Sequence, residues 1–232
     1  MKHKIFLFFL LTAVFSFGFA QTTDNNKDQT VEELFLQNIE VRIIAEQAKT
    51  VDRDMKLLAL ESIEELMENN KVSEGDPAIH SILDELGEEG TTKIVIENKR
   101  KVNDFPEVRR RACEALGRLG GQNSIDSLVR ILLIDNEPMV MAQAAYALGE
   151  IGYNENNDVS EAIAYAILKQ DGINPDNNFA MACSFAFEKL ADKNDGIYDP
   201  SVFDALILIA QGNYHPDARK KAHQVLKTLQ SY

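Results

Sequence analysis

Residues 106–152 read PEVRRRACEALGRLGG (106–121), QNSIDSLVRILLIDNE (122–137) and PMVMAQAAYALGEIG (138–152), and the first and third pieces repeat one pattern. Pro106 matches Pro138, Val108 matches Val140, Ala112 matches Ala144, Ala115 matches Ala147 and Leu116 matches Leu148. Leu119 and Ile151 follow, then Gly120 and Gly152, all at a spacing of 32 residues. A fixed period of that size marks a stacked-repeat architecture. Within one copy, Val108, Ala112, Ala115, Leu116 and Leu119 fall on one stripe of a helix. Proline suits the first helical position, where its missing N–H is not needed, and glycine suits the end. Between the copies, Ile125, Leu128, Val129 and Leu132 form a second stripe. One unit is therefore a pair of antiparallel helices, and such pairs bury their apolar faces only by stacking on neighbours.

The words Pro106-Glu107-Val108-Arg109, Ala112, Ala115-Leu116-Gly117 and Leu119-Gly120 resemble the HEAT repeat, in the short form named after phycobilisome lyases. The resemblance implies an all-α solenoid of stacked antiparallel helix pairs, a HEAT-like superhelix of four or five pairs. It leaves function open, because the family holds scaffolds, lyases and metal enzymes. It also implies that Arg109 ties one repeat to the next. Met141 occupies the matching place in the next copy, so such a ladder breaks there.

Working outward, degenerate copies appear on both sides. Arg53 to Asn69 carries Met55, Ala59, Ile63 and Leu66 at the places of Val108, Ala112, Leu116 and Leu119. Asn177 to Leu190 places Phe179, Cys183, Ala186, Phe187 and Leu190 in the buried stripe, and Pro216 opens a last copy. Lys220, Lys221, His223 and Lys227 make that last helix polar, as a terminal cap requires. Helices are also expected near 31–49, with Leu34, Ile39 or Val41, and Ile44-Ala45 as the apolar side, and near 77–89, 159–170 and 201–210. The step from Arg53 to Pro106 is 53 residues, and the excess lies in TTKIVIENKRKVND (91–104). β-Branched residues there predict a small hairpin or loop insertion near 91–104, with a continued helix as the alternative.

The first twenty residues differ from the rest. Lys2, His3 and Lys4 precede an apolar run from Ile5 to Phe17, and Gly18-Phe19-Ala20 supplies small residues at a cleavage site. This predicts a secretory signal peptide over 1–20, a flexible polar lead over 21–29 and the solenoid over 30–232. It also predicts secretion, into the periplasm, without membrane insertion after cleavage; the run is short for an uncleaved span. Residues 1–20 hold two lysines and no acid, so the remainder carries 22 basic and 37 acidic side chains, a net of −15. Nucleic-acid partners are not expected for such a surface, since neutralising phosphates needs a basic face.

No catalytic constellation is visible. HEAT-repeat metal hydroxylases use His-Glu dipeptides, and His3, His80, His215 and His223 form none. Asp192-Lys193-Asn194-Asp195-Gly196 departs from the order of a calcium loop and suits a turn. No metal or cofactor is expected. Cys113 and Cys183 fall one full unit apart and are expected as free thiols.

Two surface features point to a protein partner. Residues 31–97 carry a net charge of −11, and 98–118 a net of +4. Lys99, Arg100, Lys101, Arg110 and Arg111 thus form a basic island, either a docking site for an acidic partner or a neutraliser of the adjacent acidic repeat. The helical wheel then gives each second helix an outer ridge: Arg110, Cys113, Glu114 and Gly117; Ala142, Ala145, Tyr146 and Gly149; Met181, Ser184, Phe185 and Glu188. Tyr146, Met181 and Phe185 would either line the concave side, where aromatic side chains suit peptide or helix recognition, or pack against the flanks of neighbouring repeats. The expected function is an exported, non-catalytic scaffold for protein–protein interaction in the cell envelope. The alternatives are a lyase-like enzyme or small-molecule binder, and an envelope component that self-associates end to end.

Overall fold

The computed structural model describes residues 31–232. The expected leader and the polar lead lie outside the described residues. Ten helices follow one another: α1 Val31–Lys49, α2 Arg53–Glu68, α3 Pro77–Gly87, α4 Pro106–Leu119, α5 Gly121–Ile134, α6 Pro138–Ile151, α7 Asp158–Asp171, α8 Asn177–Lys193, α9 Pro200–Gln211 and α10 Pro216–Leu229. Two strands, β1 Ile96–Glu97 and β2 Arg100–Lys101, interrupt them between α3 and α4.

The local signals set the boundaries. Five of the chain's six prolines open helices, namely α3, α4, α6, α9 and α10. The carboxylates of Asp52, Asp76, Asp176 and Asp199 accept hydrogen bonds from first-turn N–H groups of α2, α3, α8 and α9, satisfying donors that have no partner within the helix. Gly152 ends α6 in the left-handed conformation with φ 78°, which a side chain would disfavour.

The helices pair as α1/α2, α3/α4, α5/α6, α7/α8 and α9/α10, and the five pairs stack. One layer runs α1–α3–α5–α7–α9 and the second runs α2–α4–α6–α8–α10. The repeated stripe lies between them. Val108, Val140, Phe179 and Ala218 are buried at the first place, and Ala112, Ala144, Cys183 and Ala222 at the second. One continuous hydrophobic core results, as the repeat pattern predicts.

In the second layer, small residues let helices approach closely. A Cβ on Gly117 would sit 2.8 Å from the Cβ of Ala147, and one on Gly149 would sit 2.7 Å from the Cα of Ala186. At the same place α2 has Glu64, which binds Arg111 of α4, and α8 has Glu188, which binds Lys221 of α10. At this place in the repeat the inner seams are thus closed by contact and the outer ones by ion pairs.

The insertion is a hairpin. Ile96 pairs with Lys101 and Glu97 with Arg100, antiparallel. Asn98 and Lys99 turn between them with φ 50° and 62°, the geometry that two-residue hairpins favour. Asn103 anchors its base, accepting from the Val95 N–H and donating to the Lys93 carbonyl.

Both cysteines are free and fully buried. Burial pushes both thiols up from their usual pKa, and the thiolate is the reactive form. A disulfide-exchange reagent is therefore expected to label neither cysteine of the native protein over minutes, and both in denaturant. Rapid labelling of native protein would contradict this burial.

Candidate functional site

The second layer presents the face on which most of the expected partner-binding residues fall. Its ridge differs from the wheel projection. Cys113, Ala145 and Ser184 are fully buried, and Ala142 and Gly149 are buried as well. An inner helix of this layer has a neighbour on each side as well as beneath it, so a residue turned away from the first layer still meets α4, α6 or α8. The Ser184 hydroxyl accommodates burial by donating to the Ala180 carbonyl at 2.9 Å.

What remains on the surface is a row of mixed clusters. On α6, Tyr146 is 38% exposed. Lys189 of α8 lies over its ring, 4.4 Å from the centroid, and also binds Glu150. One repeat further on, Lys221 of α10 lies 4.2 Å over the Phe185 ring and binds Glu188. Met181 is partly buried beside the core. The strip is therefore not a bare apolar groove. Tyr146 shares one face with a lysine and is part-exposed, while Phe185 is half-buried beneath Lys221. Such cation–π pairs contribute roughly 0.5–1 kcal/mol when exposed.

The basic island divides. Arg111 turns inward to Glu64 at 2.8 Å and Glu61 at 3.5 Å on α2. Arg110 pairs with Glu114 along its own helix. Lys101 pairs with Asp104 and donates to the Gly90 carbonyl. Lys99 and Arg100 stand exposed in the hairpin and form no ion pair among the described residues. Three of the five charges thus serve contacts within the chain.

Arg109 is buried. Its guanidinium holds Asp135 at 2.6 and 3.3 Å, Asp104 at 2.8 Å and the Glu89 carbonyl at 3.2 Å. Burial works against its charge, but Asp135 and Asp104 outweigh this and raise its pKa. Asp135 also accepts from the Glu137 N–H at the start of α6, so one guanidinium joins two successive pairs, α3/α4 and α5/α6. Met141 is buried at the matching place, and the ladder stops there. Toward the other end it continues. Lys56, one 53-residue step before Arg109, is buried, binds Glu89 at 2.8 Å and donates to the Ala48 carbonyl. The sequence pattern put Met55 in the buried stripe of this copy; Met55 is instead exposed and Lys56 buried.

His80, His215 and His223 gather no ligands. His80 meets the Asn123 carbonyl and the Ser127 hydroxyl, and His215 caps α10. Among the described residues no group of three or more His, Cys, Asp or Glu is arranged to hold a metal ion.

The stacked pairs, the Pro-to-Gly second helices and the buried arginine together frame the comparison with known families. Residues 98–170 match the family model described as HEAT repeats. The match runs from the hairpin turn through most of α7, so the centre of the chain is similar to HEAT repeats. No characterised protein matches the chain. A run of HEAT repeats is a helical scaffold of the kind that supports protein interaction, with a long face and little interior room.

Sequence reasoning missed one surface depression. It is a groove of about 860 Å³ at the α1 end, lined by Ile39, Ile43, Met55 and the stems of Arg42 and Lys49. The sequence left Ile39 or Val41 beside Ile44-Ala45 on the inner side of α1; Ile44 and Ala48 are buried, Val41 and Ala45 pack against the core, and Ile39 and Ile43 face out.

Proposed function

We propose that this chain is an exported, non-catalytic scaffold that holds a protein partner along the open side of its second layer. The observation that carries the reading is the row formed by Tyr146, Met181 and Phe185 on adjacent helices, with charge beside each ring. Aromatic side chains flanked by charge are the composition of interaction hot spots. Export rests on residues 1–20 of the sequence, and the envelope is the compartment that such a leader serves. The acidic surface favours a protein over a nucleic acid. We hold the repeats to be of the short, lyase-like form on the words around Val108 and Leu116.

The test is a photo-crosslinking residue at Tyr146 or Phe185 in the native host. A discrete adduct with one protein is expected, and it should vanish from the Tyr146→Ala, Phe185→Ala double variant. That variant should lose no more than about 1–2 kcal/mol of stability, the sum of two exposed cation–π contacts. Failure to capture anything at either position, in a chain shown by fractionation to be exported, would end the proposal. A collapse of stability would instead assign both rings to the core.

A further inference from the structure

The hairpin between α3 and α4 carries an apolar run on an exposed edge. Ile94, Val95 and Ile96 are 53%, 41% and 66% exposed. The hydrogen-bond pattern fixes which way their backbone points. The Val95 carbonyl accepts from the Val102 N–H at 3.0 Å, and the Val95 N–H donates to the Asn103 side chain. Bonding groups alternate along an antiparallel strand. Val95 and Glu97 therefore bond inward, toward β2, and Ile94 and Ile96 turn their N–H and C=O groups outward. A strand edge of this kind is a template for another chain.

The two edges of the hairpin differ. The β2 side presents Lys99, Arg100 and Lys101, and two copies of it would set like charges against each other, which prevents pairing. Residues 93–97, Lys-Ile-Val-Ile-Glu, are instead complementary to themselves. Antiparallel pairing of two copies about Val95 sets Ile94 opposite Ile96 on both sides of the centre, and these are the residues whose bonding groups point outward. The same register sets Lys93 opposite Glu97 at both ends. Glu97 forms no ion pair among the described residues, and Lys93 reaches Glu88 only at 3.8 Å. A parallel arrangement would oppose Lys93 to Lys93 and Glu97 to Glu97. A slip of the antiparallel register by two residues would set neither charge opposite its complement.

We infer that two copies of this chain pair edge to edge through residues 93–97, making one antiparallel sheet in the order β2–β1–β1–β2 about a two-fold axis at Val95. Alternation then puts Ile94 and Ile96 of both copies on one face. The other face carries the two Val95 side chains, with a Lys93–Glu97 pair between copies on each side of them. The contact uses no residue of the Tyr146–Phe185 row, so the two proposals fail independently.

The test is sedimentation equilibrium of the chain purified from its native host, over about 1–1,000 μM, the range in which weak specific contacts become populated. The average mass should climb from one copy toward two. Ile96→Pro should keep the circular dichroism of the parent, since that N–H bonds nothing within the hairpin, and should abolish the rise. Lys93→Glu and Glu97→Lys should each weaken dimerisation by about tenfold or more, because symmetry places the like pair at both ends. Mixing these two variants, or joining both changes in one chain, should restore it. Val95→Cys should give a disulfide-linked dimer on mild oxidation. Residues directly opposed in such a pair lie about 4.5 Å apart, within disulfide reach, and Cys113 and Cys183 are buried. A single-copy mass at every concentration, a dimer that survives Ile96→Pro, single charge variants that dimerise like the parent, a mixture that does not recover, or no disulfide at position 95 would each overturn the inference.

Discussion

Arg109→Met should cost about 3–5 kcal/mol, the range for breaking a buried ion pair from one side. The residue is not a surface charge with a spare partner. It satisfies Asp135, whose side chain is almost fully buried, and it also holds Asp104 and the Glu89 carbonyl. Removing the guanidinium leaves a carboxylate in the core with only the Glu137 N–H to oppose it. Urea denaturation followed by circular dichroism should show the midpoint falling with an unchanged slope. The pair is then tested as a pair. Adding Asp135→Asn removes the stranded charge while keeping an acceptor for Glu137, so the double variant should recover most of the loss. Additive losses would mean that Arg109 acts through packing alone.

Gly149→Val should lower stability by about 3 kcal/mol, the upper part of the range for overpacking. For a chain of this size that is a drop of about 6–12 °C in Tm, at roughly 2–4 °C per kcal/mol. Even Gly149→Ala should destabilise, although Gly to Ala in an open helix gains about 1 kcal/mol. The reason is the seam between α6 and α8. The new Cβ would meet the Cα of Ala186 at 2.7 Å and its Cβ at 3.2 Å. Backbone cannot swing aside as a flexible side chain can, so the two helices must separate and loosen the core along their length. Gly172, where an added Cβ meets only the Lys169 carbonyl at 3.6 Å, is the control; Gly172→Ala should stay within about 0.5 kcal/mol of the parent, as exposed substitutions do. A stable Gly149→Val protein would show that the second layer is looser than described.

The stacking was legible because its signals are local and repeat. Proline at the start, alanine and leucine in the stripe, and glycine at the end recur at fixed spacing, and each has the same physical consequence every time. The insertion was legible from the 53-residue step and the β-branched run before Asn98. The surface was less so. A helical wheel assigns one inside and one outside, which suits a helix with one neighbour. Cys113, Ala145 and Ser184 lie on helices with neighbours on three sides, and a single helix's sequence does not carry that count. For α1, apolar residues surround the helix on both faces, so the pattern left Ile39 or Val41 for the inner side, and only Val41 packs there. Lys56 is different, because a signal existed. It stands in the same place as Arg109, but weighting the stripe by hydrophobicity favoured Met55 and hid the recurrence of a buried cation.

Asn98 and Lys99 reverse the chain outside both helical layers, and nothing in either layer depends on what hangs from that tip. A passenger domain or fluorescent tag spliced between them would ride on the rod without changing its pitch. The same graft at Gly120-Gly121, where an added Cβ would meet the Gly75 backbone at 3.2 Å, would prise adjoining modules apart.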